Sequence, residues 1–406
     1  MKFYSFLCLL MILCLPKASY AQFQAKSKDP IFSFKNGLGI TSPDSNFSIN
    51  IRFRFQNRFL MNTKSFRDLS PDSWEARVRR SRLSFTGYVF DPRFSYYLQL
   101  SFSRGDLDWN GLDDSAQNTS PNIVRDAMVF FRPNENWQFS FGQGKLPGNR
   151  QRVVSSGSLQ FFDRSPVNTA FTLDRDFGFF INYLTRLSPS FLVMCKTALT
   201  SGEGRNSIVS NPGLAYTGRI EILPFGDFLL GGDYFEGDVA REPTPKISLA
   251  AGMHLNELAV RSQGQLGRDL YEPRSFTAFI ADFLFKYKGI ALSSEYLQKN
   301  AVSTAVTTNP DGKIRDLLVG KGINTQLSYC FPSLWELAAR HSVVVPDKEI
   351  QERTNHVSEF GVGVTKYIAK HKTKAQFNIF ARNNKNLVTG TEDNFFYVVF
   401  QLEAGI

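Results

Sequence analysis

Hydrophobic and polar residues alternate in short stretches along most of the chain. The stretch 47–56 reads FSINIRFRFQ, with an apolar residue at every odd position and a polar residue at every even one. Similar alternation recurs at 94–103, 214–222, 360–364 and 398–404. A period of two is typical of a β-strand with one apolar and one polar face. No long window has helical periodicity, so the pattern predicts an all-β protein.

The connections between these stretches differ in length in a regular way. Short turns are predicted at 91–92, 133–135, 187–189, 224–226, 288–289, 332–333 and 370–371. Long polar loops are predicted near 61–74, 104–123, 146–174, 201–212, 236–245, 299–321, 345–357 and 383–393. A secreted sandwich or solenoid also has alternating strands, but it has no reason to collect its long loops at one end. Tight turns at one end and long loops at the other are typical of outer-membrane barrels. The sequence therefore predicts a transmembrane antiparallel β-barrel.

The number of strands is bounded by parity, since both ends of such a barrel lie on the periplasmic side and the count is even. Seventeen segments are clear, and the alternation of orientation breaks between 246–253 and 276–287. An extra strand near 258–266 would give eighteen, whereas merging doubtful pieces would give sixteen. We therefore expect 16 to 18 strands.

The first 21 residues, MKFYSFLCLLMILCLPKASYA, have a basic start, an apolar run of about ten residues and small residues near a cleavage position. We interpret residues 1–21 as a signal peptide, because the run is shorter than the ~20 residues of a spanning helix. Residues 22–45 are expected to form an N-terminal periplasmic extension, and residues 46–406 the barrel. The predicted location is the bacterial outer membrane.

Composition agrees with a chain that has lipid outside and water inside. The 39 Phe and 14 Tyr can supply a lipid-facing surface, while the mean hydropathy is only −0.22. The exported chain would carry about +8, since the 47 Lys and Arg include Lys2 and Lys17 of the leader and face 37 Asp and Glu. Basic charge outside the cell favours an anion pathway or an anionic surface over nucleic acid. Outer-membrane lipid is the other expected partner.

One basic segment, GQGKLPGNRQRVVSSGSLQFFDR at 142–164, begins like a phosphate-binding turn. A dinucleotide fingerprint needs a third glycine before a helix, but Pro147 stands there and no helical period follows. The segment instead reads as a strand that runs into a long basic loop.

Several segments in order resemble the phosphate-selective porin O and P family, in the form common in Bacteroidetes-type bacteria. They are RRSRLSFTGYVFDPRFSYYLQLSF (79–102), VRDAMVFF (124–131), GQGKLPGNRQR (142–152), LQFFDRS (159–165), DRDFG (174–178) and DFLFKYKGIALSSEY (282–296). The resemblance implies an outer-membrane barrel of about sixteen strands, usually a homotrimer. It also implies that the third long loop, which starts here at Lys145, folds into the lumen and narrows it.

Candidate anion-binding residues are basic side chains on the predicted loop and on inward strand faces, since Arg and Lys replace the hydration of an anion with charge and donors. At the constriction we expect Lys145, Arg150, Arg152, Arg164 and Arg175. For Arg164 and Arg175 the favoured alternative is a salt bridge, with neighbours such as Asp163 or Asp174, that ties the loop to the wall. On the pore wall we expect Arg52, Arg54, Arg80, Arg82 and, more weakly, Arg219. These could equally pair with inward acids. By alternation, Arg79 lies on the strand face that points toward lipid, so we expect it near the membrane–water interface.

No catalytic, metal or cofactor site is expected. The histidines, His254, His341, His356 and His371, are scattered without metal-ligand spacing, and no nucleophile motif occurs. The sequence thus predicts a porin, not an enzyme, for passive diffusion of small hydrophilic solutes. We expect a preference for small anions, with phosphate or polyphosphate as candidates. The alternative is a non-conducting outer-membrane barrel that acts as an adhesin or scaffold, and a barrel-embedded hydrolase ranks third.

Overall fold

The computed structural model describes residues 30–34, 37–103, 123–207 and 211–406. In these segments sixteen long strands form one antiparallel sheet. They are β3 (Phe47–Thr63), β4 (Pro71–Val89), β5 (Asp91–Ser101), β6 (Val124–Phe131), β7 (Trp137–Lys145), β8 (Arg175–Ser188), β9 (Phe191–Thr200), β10 (Ala215–Leu223), β11 (Lys246–Arg261), β12 (Asp269–Tyr287), β13 (Ile290–Ala301), β16 (Gly320–Cys330), β17 (Trp335–Pro346), β18 (His356–Tyr367), β19 (Lys374–Lys385) and β20 (Glu392–Gly405). The shorter strands are β1 (Ile31–Ser33), β2 (Leu38–Thr41), β14 (Val306–Thr308) and β15 (Ile314–Asp316).

Each long strand pairs with the next along the chain, and the last pairs with the first. The register of β20 on β3 runs from Tyr397 opposite Asn62 to Gly405 opposite Arg54. This pairing closes the sheet, so no long edge remains exposed. The predicted transmembrane antiparallel barrel is confirmed, at sixteen strands.

Two short strands extend the sheet beside this closure. Leu38 to Thr41 of β2 pair with Ile51 to Ser48 of β3, beyond the point where β20 ends. Strand β1 pairs with β2, while β14 and β15 form a separate hairpin in the loop between β13 and β16. The sheet thus contains sixteen barrel strands and two additions.

Of the two options for the strand count, the one with an extra strand near 258–266 is wrong and the one with sixteen strands is confirmed. Strand β11 continues to Arg261, and residues 262–268 form the loop that leads into β12. The break in the up-and-down alternation of strands between 246–253 and 276–287 has another origin. The short turn predicted at 224–226 opens a longer segment, 224–245, which folds into the lumen. It contains 3-10 turns within Leu229–Tyr234, with a kink at Leu230 and Gly231. We call it the inner turn segment, because it joins β10 and β11 at the end of the barrel where the tight turns lie.

The two faces of the strands follow the alternation in the sequence. Phe53, Phe55 and Phe59 of β3 point outward and are exposed, whereas Gln56 and Arg58 point inward and are buried. Large exposed apolar side chains recur in this way on most strands, which is the surface that lipid requires. Among the described residues, no helix is long and apolar enough to cross a membrane.

The third loop, residues 146–174, folds inside the barrel, as the resemblance implied. It contains helix α1 (Arg150–Val153), a 3-10 helix at Ser156–Ser158 and helix α2 (Pro166–Phe171). Helix α2 begins at Pro166, and the Ser165 hydroxyl before it caps the Asn168 amide at 3.1 Å. The loop has its own apolar contacts with the inner wall. They include Leu146, Val167, Phe171, Leu173, Val344 and Ile350.

Candidate functional site

A single carboxylate in the third loop binds three arginines of the wall. Asp163 accepts hydrogen bonds from Arg80 at 2.9 Å and from Arg58 and Arg79 at 3.3 Å each. Burial opposes ionisation of Asp163, but the positive charges of Arg80, Arg79 and Arg58 hold its pKa well below its usual range. The carboxylate therefore stays charged and fixes the loop against β3 and β4.

The 3-10 turn of the third loop rests on a second pair of wall arginines. The Ser156 hydroxyl accepts from Arg54 at 2.7 Å and from Arg82 at 3.0 Å. Arg54 also donates to Glu403 of β20 at 3.0 Å. Gly157 lies against this pair, and a Cβ there would stand 2.1 Å from Arg54 Nη1 and 2.8 Å from Glu403 Oε1. A side chain at this point would therefore push the Arg54 guanidinium and the Glu403 carboxylate aside.

On the opposite side, Arg150 of helix α1 is buried in contact with the far wall. It donates to Asp282 of β12 at 2.7 Å, to Ser248 of β11 at 2.7 Å and to the Asp233 carbonyl at 2.8 Å. Arg219 binds the other oxygen of Asp282 at 2.7 Å. Both arginines were predicted to face the pore. In the structure they form ion pairs with the Asp282 carboxylate, whose side chain has 0% exposure.

The base of the third loop is held by a further ion-pair group. Arg175 forms a two-pronged contact with Asp126, at 2.9 and 3.0 Å, and binds Asp174 at 3.2 Å. Arg152 donates to the same Asp174 at 2.6 Å. The pKa of Asp174 is lowered by Arg152 and Arg175 although burial opposes ionisation. Lys145 reaches the carbonyl of Val153 at 2.6 Å.

Among the described residues, the hydrogen-bond partners of Arg164 belong to the loop that carries it. Its side chain donates to the carbonyls of Gln151 at 2.7 Å and Val154 at 2.8 Å. Arg175 thus forms salt bridges of the kind that the alternative expected. Arg164 is instead hydrogen-bonded to carbonyl groups of its own loop. Lys145, Arg152, Arg164 and Arg175 all still line one cavity of the lumen.

The inner turn segment meets the third loop inside the barrel. The Glu236 amide donates to the Ser158 carbonyl at 2.9 Å, and the Glu236 carboxylate accepts from Gln151 at 3.1 Å and from the Gln160 amide at 3.0 Å. Lys286 of β12 holds the segment by donating to the Gly232 and Phe235 carbonyls at 2.6 and 2.8 Å. Together the two inserted segments fill the side of the lumen next to β12, β13 and β16.

Open space remains on the other side, in two adjoining cavities. The first, of about 620 Å³, lies beside the third loop, and strands β4 to β9 supply its wall. Among the described residues, ten basic and three acidic side chains line it. The acids are Asp126, Asp163 and Asp174, each of which is bound by at least one arginine. The lining therefore has a clear excess of positive charge.

The second cavity, of about 670 Å³, lies at the turn end of the barrel. Arg52 and Arg54 line it, together with parts of the inner turn segment. Arg82, Tyr97, Gln99 and Ser155 line both cavities. These four side chains mark the junction, which lies between the third loop and the wall formed by β4 and β5.

Sequence reasoning missed several basic residues of the first cavity, among them Arg79 and Arg125. Arg79, predicted at the lipid interface, faces inward because a β-bulge sets Gln56 opposite Arg80 but Asn57 opposite Val78. Arg125 is likewise the extra residue where β6 slips against β5. Both bulges break the alternation that the prediction used. Arg58 lay on the predicted inward face and could have been found from it.

Known proteins resemble this chain in family and in fold. The model of a family described as "Phosphate-selective porin O and P" matches residues 49–187 of the chain. The match covers β3 to β8, including the third loop, and it confirms the resemblance seen in the sequence. No curated protein matches the chain.

Several solved structures are similar to this chain in fold. The outer membrane channel DcaP of Acinetobacter baumannii aligns with a TM-score of 0.53 and 10% identity, covering 89% of this chain and 98% of that one. Salmonella typhi OmpF aligns at 0.54 and 10%, covering 89% and 98%. Pseudomonas putida OprB aligns at 0.53 and 9%, covering 88% and 94%. At such identities the likeness concerns the fold.

Proposed function

We propose that this porin-type barrel of the bacterial outer membrane, whose residues 49–187 match the phosphate-selective porin O and P family, conducts small hydrophilic solutes and prefers anions. Phosphate and polyphosphate are the leading candidates. The observation that carries the proposal is the lining of the first cavity, where ten basic and three acidic side chains stand among the residues that the structure describes.

The physical basis is the field inside a narrow, water-filled space with a low-dielectric wall. Like charges there reinforce one another and raise the local concentration of counter-ions. The three acids of the first cavity are engaged by arginines, so their negative charge is offset at the contact. The excess of basic over acidic side chains in the described lining attracts a passing anion, as rings of Arg or Lys do in anion pores.

Arg82 has a special place in this pathway, because it lines both cavities. A solute that moves from one cavity to the other passes this guanidinium and the hydroxyls of Tyr97 and Ser155. Cation and hydroxyl donors together suit an oxyanion, which accepts several hydrogen bonds at once. This supports a phosphate-type solute over a simple halide as the preferred species.

The alternative of a non-conducting barrel, serving as an adhesin or scaffold, requires that the lumen be sealed. The two adjoining cavities favour conduction instead. Purified protein in a planar lipid bilayer decides between them, since stepwise current increases are expected only from an open barrel. If the protein inserts and no current appears, the porin function is wrong.

Anion preference is tested by the reversal potential in a KCl gradient. The native protein should give the sign of an anion-selective channel. Changing Lys145→Gln and Arg152→Gln together removes two charges from the first cavity and should lower the anion-over-cation permeability. The matched control, Lys313→Gln with Lys348→Gln on exposed outer loops, should change it much less, because such charges are screened within about 8 Å at physiological salt. Equal effects in both variants would contradict the proposal.

A homotrimer and the removal of residues 1–21 as a signal peptide remain predictions. The family resemblance supports the trimer, and crosslinking of the protein in native outer membranes would test it. Mass spectrometry of the mature N-terminus would test cleavage after Ala21. Residues 1–21 lie outside the described part of the chain.

A further inference from the structure

The second cavity has an apolar surface that an inorganic anion does not need. Leu229, Leu230, Phe235 and Val239 of the inner turn segment line it. Leu229 is 47% and Leu230 73% exposed, and both line this cavity. Side chains of this kind gain nothing from water, and they would bind the apolar part of a solute.

The backbone holds this apolar surface in place at some cost. Leu230 has a φ of 56°, a left-handed conformation that is unfavourable for a bulky residue. Just before it, Phe228 is buried in a cluster with Leu192, Leu223 and Leu284 of the inner wall. The anchored phenylalanine and the strained leucine fix the turn so that Leu229 and Leu230 stay on the cavity side.

Basic groups surround the same cavity. Among the described residues, six basic side chains and no acidic side chain line it, namely Arg52, Arg54, Arg82, Lys286, Lys370 and Lys372. Arg54 is offset by Glu403, and Lys286 is used on two carbonyls of the inner turn segment. Arg52 and Lys370 are exposed to the cavity, on the wall and on the turn between β18 and β19.

We propose that this cavity is a binding site for amphipathic organic anions, that is, small carboxylates or phosphonates with an aromatic or aliphatic body. The apolar residues of the inner turn segment bind the body, and Arg52, Lys370 and Arg82 attract the charged head. The inference rests on the proposed anion conduction and specifies a solute class for it. A volume of about 670 Å³ is in the range of pockets that hold small organic ligands.

The position of the cavity gives this site a role in transit. Arg82 also lines the first cavity, so an anionic head can pass from one cavity to the other while the body is still in the second. An inorganic phosphate would meet the same cations but gain nothing from Leu229 and Leu230. The site therefore discriminates organic from inorganic anions of equal charge.

Current block in a planar bilayer tests the proposal with two probes that share a carboxylate, benzoate and acetate. Added to the native protein carrying a KCl current, benzoate should block at a concentration roughly tenfold lower than acetate. This ratio corresponds to about 55 Å² of apolar surface removed from water. Equal blocking concentrations, with chloride preference intact, would overturn the site and leave the anion channel standing. An absence of current would overturn both.

Matched variants locate the site. Leu229→Ser with Leu230→Asn removes the apolar surface, and asparagine tolerates the left-handed backbone, so the benzoate advantage should be lost without unfolding. Phe90→Asn is the control, because Phe90 is an exposed apolar residue with a φ of 64° at another turn. A benzoate advantage that persists in the leucine variant, or vanishes in the Phe90 control, would overturn the assignment.

A second pair of variants tests the charged side of the site. Lys370→Gln with Lys372→Gln should weaken block by benzoate and acetate alike. Lys288→Gln, at a turn, with Lys366→Gln, near the end of β18, lies outside the cavity lining and should leave both unchanged. Lys288 and Lys370 share a left-handed backbone, with φ of 47° and 51°. If the two lysine pairs have equal effects, bulk charge at the turn end explains the attraction, and the proposed head-group contacts are wrong.

Discussion

Arg80 of β4 and Asp163 of the third loop lie 83 residues apart in the sequence, and the Arg80 guanidinium donates to the carboxylate at 2.9 Å. Arg58 and Arg79 bind the same group. One carboxylate thus sets the distance between the loop and the wall on the side where Arg82 marks the junction of the two cavities. The width of the pathway there depends on this contact.

Asp163→Asn should loosen the third loop. The change removes the negative charge that three guanidinium groups share, which we expect to lower the free energy of unfolding by about 2 kcal/mol, less than for a fully buried pair because the Asp163 side chain is 22% exposed. Urea unfolding in liposomes measures the loss. Single-channel current noise should rise as well. Asp311→Asn, on an outer loop, is the control and should alter neither quantity.

The attachment of the loop should resist acid. The pKa of Asp163 lies well below its usual range, although burial opposes ionisation, because of Arg80, Arg79 and Arg58. A carboxyl whose pKa is lowered by folding stabilises the folded state above its unfolded pKa of about 3.9, and that stabilisation is lost only as pH falls through the lower folded pKa. Current noise at pH 4 should therefore equal that at pH 7. An onset of fluctuations near pH 4 would mean that Asp163 titrates normally.

Gly157→Ala should disturb the contact between the third loop and the barrel wall. The added Cβ would stand 2.1 Å from Arg54 Nη1, so the contact of Arg54 with Ser156 and Glu403 must open. We expect a higher single-channel conductance with the barrel still closed. Gly218→Ala on β10 is the matched control, since nothing lies within 4 Å of its Cβ position. Unchanged conductance in Gly157→Ala would show that the loop shifts without widening the pathway.

Substitutions at Arg150 and Arg52 should have different effects, the first on stability and the second on ion selectivity. Arg150→Gln leaves the buried Asp282 with one arginine fewer and should cost about 3 kcal/mol of unfolding free energy, with little change in ion preference. Arg52→Gln removes an exposed charge of the second cavity and should lower anion preference at nearly unchanged stability. Reversal potentials and urea unfolding of both variants check this. The opposite assignment of effects would contradict the placement of Arg150 away from the pathway.

Much of the fold could be predicted from alternation alone, because a strand between lipid and water must alternate. The inward positions of Arg54, Arg80 and Arg82 followed from it directly. Arg79 and Arg125 could not be placed, since each sits at a bulge where one extra residue shifts the parity. Bulges carry no reliable signal in a single sequence.

The partners of inward residues were also beyond reach of the sequence. Arg150 was expected beside the pathway because it lies in a basic loop, yet it binds Asp282, 132 residues away. Pairings of this kind depend on where the loop docks in three dimensions. The inner turn segment was hidden for a related reason, since its apolar run, 228–230, resembles a strand while its glycines and positive φ angles turn it inward.

Glu403 of β20 accepts hydrogen bonds from Arg54 and Gln56 of β3, and Gln56 is its register partner across the strand pair that closes the barrel. The same Arg54 seats Ser156 of the third loop. The anchor of the loop is therefore completed only when the first and last strands have met. During assembly in the membrane, a barrel whose first and last strands have not yet paired would lack this contact, and its lumen would be wider there. We therefore expect the lumen to narrow at this contact only after the first and last strands have paired.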